Sequence, residues 1–94
     1  MHARTVTFQV SPERLDDVVA NIQQGAQNLV GQKGFRHAHW LYDRERSTMM
    51  AVALYDSAED EAASWAVQGP GVHERLQTLD ITPEVKTHEV VHEL

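Results

Sequence analysis

The 94-residue sequence carries six histidines and no cysteine. An imidazole with an ordinary pKa of about 6.5 accepts a proton close to neutrality, so the histidines are the first candidates for acid–base or metal chemistry. His37 and His39 share one face of a predicted strand, and His88 and His92 share a face of the last predicted strand. In a sheet of order 4-1-3-2 those strands lie at opposite edges, roughly 14 Å apart at about 4.8 Å per strand. One subunit cannot join the two pairs around a metal, and only the opposite edge of a second subunit would bring them close. Neither a cysteine nor a helical His-x-x-x-His pair offers another ligand set. No metal site is expected, and these histidines otherwise serve as polar strand-face or interface residues.

The elements that position these residues are readable from periodicity. Residues Ala3 to Val10 alternate, with Arg4, Val6, Phe8 and Val10 on one face and Thr5, Thr7 and Gln9 on the other, which predicts a strand. Ser11-Pro12 supplies an N-cap and a first helical residue with preset φ. The helix that follows bears an apolar stripe of Leu15, Val18, Val19, Ile22, Ala26, Leu29 and Val30. Strands are predicted over Phe35 to Tyr42 and Met49 to Asp56, joined by the polar loop Asp43 to Thr48. Ser57-Ala58-Glu59-Asp60 is a capping-box pattern that starts a second helix. Gly69-Pro70-Gly71 is expected to break that helix, with Val72, Leu76 and Leu79 continuing a helical period beyond it. Glu84 to Leu94 reads as the last strand.

This order is the ferredoxin-like βαββαβ plan of the α+β class: one four-stranded antiparallel sheet with two helices on one face. Strands two and three are apolar or aromatic on both faces, which one layer of helices does not explain. The uncovered face would present an apolar patch larger than monomers normally tolerate, and a second copy packed face to face would bury it. A homodimer is therefore expected.

Bulk composition narrows the function. The length gives one domain over residues 1–94, too small to hide more than about 60–65% of its unfolded surface, which also favours association. The net charge of −6 and the scattered basic residues argue against nucleic acid, and Arg44 and Arg46 belong to a solvated hairpin tip. The absence of cysteine fits a reducing compartment. No apolar run reaches membrane-spanning length and the N-terminus lacks a signal-peptide core, so a cytoplasmic protein without a membrane partner is expected. There is no Gly-rich phosphate loop and no Gly-x-Ser-x-Gly elbow.

The stretch Gly34-Phe35-Arg36-His37-Ala38-His39-Trp40-Leu41-Tyr42-Asp43-Arg44-Glu45, then Leu54-Tyr55-Asp56-Ser57-Ala58-Glu59-Asp60, the Trp65-bearing helix and Glu89-Val90-Val91 resemble the dimeric α+β barrel superfamily. Within it, the progression is similar to the antibiotic-biosynthesis-monooxygenase-like group. The resemblance implies a face-to-face barrel of two subunits. It also implies one of several activities, since the group includes cofactor-free oxygenases of polycyclic quinols, haem-degrading enzymes and muconolactone-isomerase-like enzymes. For a cofactor-independent oxygenase, Trp40, Tyr42, Tyr55 and Trp65 would wall a pocket for a small aromatic or apolar molecule. Thr7, Gln9, His37 or His39 would supply polar contacts, and a histidine would take a phenolic proton. For a haem-degrading protein the resemblance makes His73, on the helix after Trp65, the iron ligand. Here the spacing is eight, where those members have nine or ten, and Val6 and Thr7 stand where they carry an Asn on the first strand. A third reading is a non-catalytic dimer that binds a small molecule or serves a structural role.

Overall fold

The computed structural model describes residues 1–94. Its elements are β1 (His2–Gln9), α1 (Leu15–Ala26), β2 (Phe35–Asp43), β3 (Thr48–Tyr55), α2 (Ala58–Gln77) and β4 (Glu84–Glu89). The four strands form one antiparallel sheet in the order β2-β3-β1-β4, as the ferredoxin-like plan requires. Both helices cover the same face. Register fixes which residues lie under them: Arg4 pairs with Ala53, Val6 with Ala51 and Phe8 with Met49, while Ala38 pairs with Ala53, Trp40 with Ala51 and Tyr42 with Met49. Directly opposed residues point to one side of a sheet, so these form a continuous helix-side surface. Val6, Phe8, Val10 and Met49 meet Val18 of α1 and Leu76 of α2 in the buried core.

The opposite face carries Thr5, Thr7, Met50, Val52 and Leu54 at its centre, with His37, His39 and Leu41 along β2 and Lys86 and His88 along β4. Nothing within the chain covers it, and Leu41 and Met50 are 54% and 38% exposed.

Four local expectations are corrected. Ser11 has the extended backbone of an N-cap, but its side chain makes no capping bond, and Pro12–Arg14 form a 3₁₀ turn before α1 begins at Leu15. The stripe of α1 also ends early: Val30 lies beyond the helix and is exposed. Gly69-Pro70-Gly71 does not break α2, which runs unbroken for 20 residues. Pro70 is on the exposed side of the helix, where water can satisfy the Ala66 carbonyl that lacks a donor. Trp65 before it and Leu76 after it both pack on the same core, which holds the two halves in line. Finally, β4 stops at Glu89 and does not reach Leu94. Its only partner is β1, and Val90 N–H already donates to the carbonyl of Met1 (3.0 Å), so no strand remains opposite residues 91–94. His92 therefore shares no strand face with His88.

Other local features follow the sequence. The Ser57 hydroxyl accepts from Asp60 N–H at 3.1 Å and caps α2. In the β2–β3 loop the Asp43 carboxylate accepts from the backbone N–H groups of Glu45 and Arg46 and from the Arg46 guanidinium. Those bonds hold the Asp43 carboxyl below the usual carboxylate range.

Candidate functional site

Between the sheet and the two helices lies a cavity of about 120 Å³. Its floor owes its depth to small side chains at paired positions: Ala38 and Ala53 are neighbours in register, and Ala51 sits beside Trp40. Trp40, Tyr55 and Trp65 provide aromatic walls, and most of the remaining lining is aliphatic. The volume is close to that of a cavity of about 150 Å³ that takes up a single benzene ring.

One ion pair is set into this apolar lining. Arg4, inward-facing on β1, donates from Nη2 to Glu61 Oε2 on the first turns of α2. Their side chains are 9% and 3% exposed, so the pair is buried on both sides. The Arg4 guanidinium carbon lies 4.3 Å from the centre of the Trp65 ring, a cation–π contact that partly replaces lost hydration. Burial pushes the Arg4 pKa below its ordinary value, and the nearby Tyr55 oxygen acts in the opposite sense. Arg4 Nε is buried and has no hydrogen-bond partner. Beside the pair, the Tyr55 hydroxyl and Ser64 Oγ are 2.8 Å apart. A second guanidinium, Arg75, also reaches the lining.

The structure separates the residues singled out from sequence. Trp40, Tyr55 and Trp65 line the cavity. Tyr42 is part of the core margin, where its hydroxyl donates to the Val10 carbonyl at 2.7 Å and Arg44 lies 5.6 Å above its ring. Thr7 and Gln9 face away from the cavity and border a shallow polar recess with Thr82 and Glu84. His37 and His39 are neighbours, with ring centres 5.4 Å apart and planes tilted by 58°, and are exposed on the uncovered face of the sheet. None of these four polar residues reaches the cavity. His73 is exposed on α2; its ring meets Trp65 edge to face at 5.8 Å and its Nδ1 lies 3.0 Å from the Gly69 carbonyl. It does not line the cavity either.

Arg4, Glu61, Ser64 and Arg75 are the residues that the sequence reading passed over. A signal for Arg4 exists, because it is the one charge in the inward row Arg4, Val6, Phe8 and Val10. Glu61 is four residues before Trp65 and so shares its helix face. No group of three or more His, Asp or Glu side chains is placed to hold a metal ion, and no helix is long and apolar enough to cross a membrane.

A family model described as antibiotic biosynthesis monooxygenase matches residues 1–73. A candidate antibiotic biosynthesis monooxygenase from Deinococcus radiodurans superposes with a TM-score of 0.83 at 15% identity, covering 100% of this chain and 96% of that one. SnoaB, a cofactor-independent oxygenase from Streptomyces nogalater, gives 0.73 at 20% identity over 99% of this chain and 95% of its own. A variant of MhuD with two manganese protoporphyrin IX molecules bound per active site gives 0.78 at 14% identity, covering 100% of this chain and 98% of that one. Identities this low establish a common fold and nothing finer. No curated protein matches the chain.

Proposed function

Because the chain belongs to the antibiotic biosynthesis monooxygenase family, we propose that it works as a homodimer whose cavity takes a small aromatic molecule and oxygenates it without a cofactor. The cavity carries this reading: it is apolar, one ring in size, and walled by Trp40, Tyr55 and Trp65. A phenol ring slid between those aromatics would bury its faces and keep its oxygen for the polar groups of the lining. Loss of the phenolic proton makes the ring electron-rich enough to reduce dioxygen itself. One oxygen atom then enters the ring, the other leaves as water, and the phenol becomes a quinone. His37 and His39, candidates for the base on sequence grounds, face away from this cavity. The homodimer is supported by the uncovered sheet face, where Leu41, Met50, Val52 and Leu54 form an apolar strip.

A haem protein is the second reading, and the superposition on MhuD favours it. The His73 ring suits an iron ligand in one respect: with Nδ1 turned to the Gly69 carbonyl, Nε2 is left for a metal. Bound iron porphyrin would supply oxygen activation. The remaining residues do not fit the group, since His73 does not line the cavity. A volume of about 120 Å³ is also well below the roughly 300–1,000 Å³ of sites for larger ligands.

A single titration series tests both. Small phenols and naphthols are expected to quench Trp40 and Trp65 fluorescence saturably and to give oxygen uptake in metal-free buffer. Absence of both effects removes the oxygenase reading. A Soret band with hemin that is lost in His73→Ala puts the haem reading in its place.

A further inference from the structure

We propose that His37 and His39 form a chelating site for one tetrahedral divalent ion, zinc above all, on the outer face of the sheet. The site is separate from the cavity and independent of what the cavity binds. It begins with a register shift in β2. Phe35 pairs with Tyr55, so in an unbroken ladder His37 would oppose Ala53 and His39 would oppose Ala51, on the helix side. The ladder is broken between Phe35 and His37, and beyond the break His37 opposes Leu54 and His39 opposes Val52. A slip of one residue sends every later side chain of a strand to the other face. The bulge thus gives Ala38 and Trp40 to the cavity and turns both imidazoles outward. Arg36 sits at the bulge, where its guanidinium donates to Asp56 at 3.1 Å and to Glu93 at 3.3 Å. Those contacts tie the bulge to the end of β3 and to the last residues of the chain.

The two imidazoles are left free to bind. Ring nitrogens of His73 and His88 are within hydrogen-bonding distance of partners inside the chain, whereas those of His37 and His39 have none. Both rings are exposed on an edge strand, with their centres 5.4 Å apart. Two imidazoles on one tetrahedral zinc, each bonded at about 2.0–2.1 Å, hold their ring centres about 5.2 Å apart. The right angle of a square-planar or octahedral ion would require about 4.5 Å. The observed spacing matches the tetrahedral ion. Because one strand carries both rings, the second bond forms as an intramolecular step with little further loss of freedom.

No third His, Asp or Glu side chain joins the pair. His88, on the same face of β4, is three strands away, roughly 14 Å. Two of the four positions around the ion therefore stay open to water or to a ligand from outside. An incomplete protein shell of this kind makes an exchangeable site, unlike the closed set of four that builds a structural zinc centre.

The test uses the untagged protein. Zn²⁺ binding is followed by calorimetry, and Co²⁺ binding by visible absorption, which is far stronger in tetrahedral than in octahedral coordination. One ion is expected to bind per chain, Co²⁺ with the strong tetrahedral spectrum, and Zn²⁺ is expected to displace it. His37→Gln and His39→Gln are each expected to weaken binding about 100-fold, since one imidazole remains and the chelate is lost. His73→Gln and His88→Gln are expected to leave it unchanged. All four side chains are exposed, so the variants keep the fold. Absence of saturable binding, or binding that survives the loss of either His37 or His39, overturns the proposal. A weak octahedral cobalt spectrum overturns the assignment of a tetrahedral ion.

Discussion

Arg4 and Glu61 neutralise one another inside the protein, and each is stranded without the other. Removing one member of a buried pair leaves an uncompensated charge, which typically costs about 3–5 kcal/mol, whereas replacing both by apolar residues is often close to neutral. Arg4→Met is therefore expected to lower the urea-unfolding free energy by about that amount, and the double variant Arg4→Met with Glu61→Leu to recover most of it. Recovery in the double variant distinguishes a stranded carboxylate from simple loss of packing on Trp65. At this scale the sequence was partly legible. The family resemblance named Trp40, Tyr42, Tyr55 and Trp65 as walls of a pocket, and of these Trp40, Tyr55 and Trp65 line the cavity. The polar contacts were misplaced for a definite reason. Thr7 and Gln9 alternate with Val6 and Phe8, and His37 and His39 alternate with Ala38 and Trp40, so both pairs belong to the face away from the helices. The same alternation that put Arg4 among apolar neighbours would have excluded them.

At the scale of elements, α2 shows how tertiary packing overrides local preference. Pro70 lacks the donor and crowds the carbonyl four residues earlier, and two glycines flank it, yet the helix continues because Trp65 and Leu76 are anchored on one core. Pro70→Ala is expected to raise stability by about 1–3 kcal/mol in chemical denaturation, since it restores a donor on an exposed face. Gly69→Ala is expected to do the opposite despite the better helix former. Its Cβ would lie 2.8 Å from Cε2 of the Trp65 indole, so the ring must move, and a shifted tryptophan emission will report it. Strand order and the Ser57 cap were readable because each follows from a pattern in the sequence, the βαββαβ succession and the capping box. The continuity of α2 and the early end of β4 were not, because they depend on what lies opposite: a shared core in one case, and the end of β1 in the other.

For the molecule as a whole, the uncovered face of the sheet is the surface on which the proposed dimer is tested. A dimer packed on Leu41, Met50 and Val52 predicts that light scattering gives twice the chain mass of 10.6 kDa, and that Val52→Glu returns the monomer value. A monomer mass for the unaltered protein would remove the barrel arrangement while leaving the cavity untouched. That cavity has a bearing on how long the protein lasts. A chain of 94 residues has a small stability margin, and an apolar cavity of about 120 Å³ is large for its size. A ligand that binds the folded chain there adds to that margin by mass action and shifts the chain away from the unfolded forms that proteases remove. Ligand supply would then govern turnover, with copies that find a molecule to hold outliving those that do not.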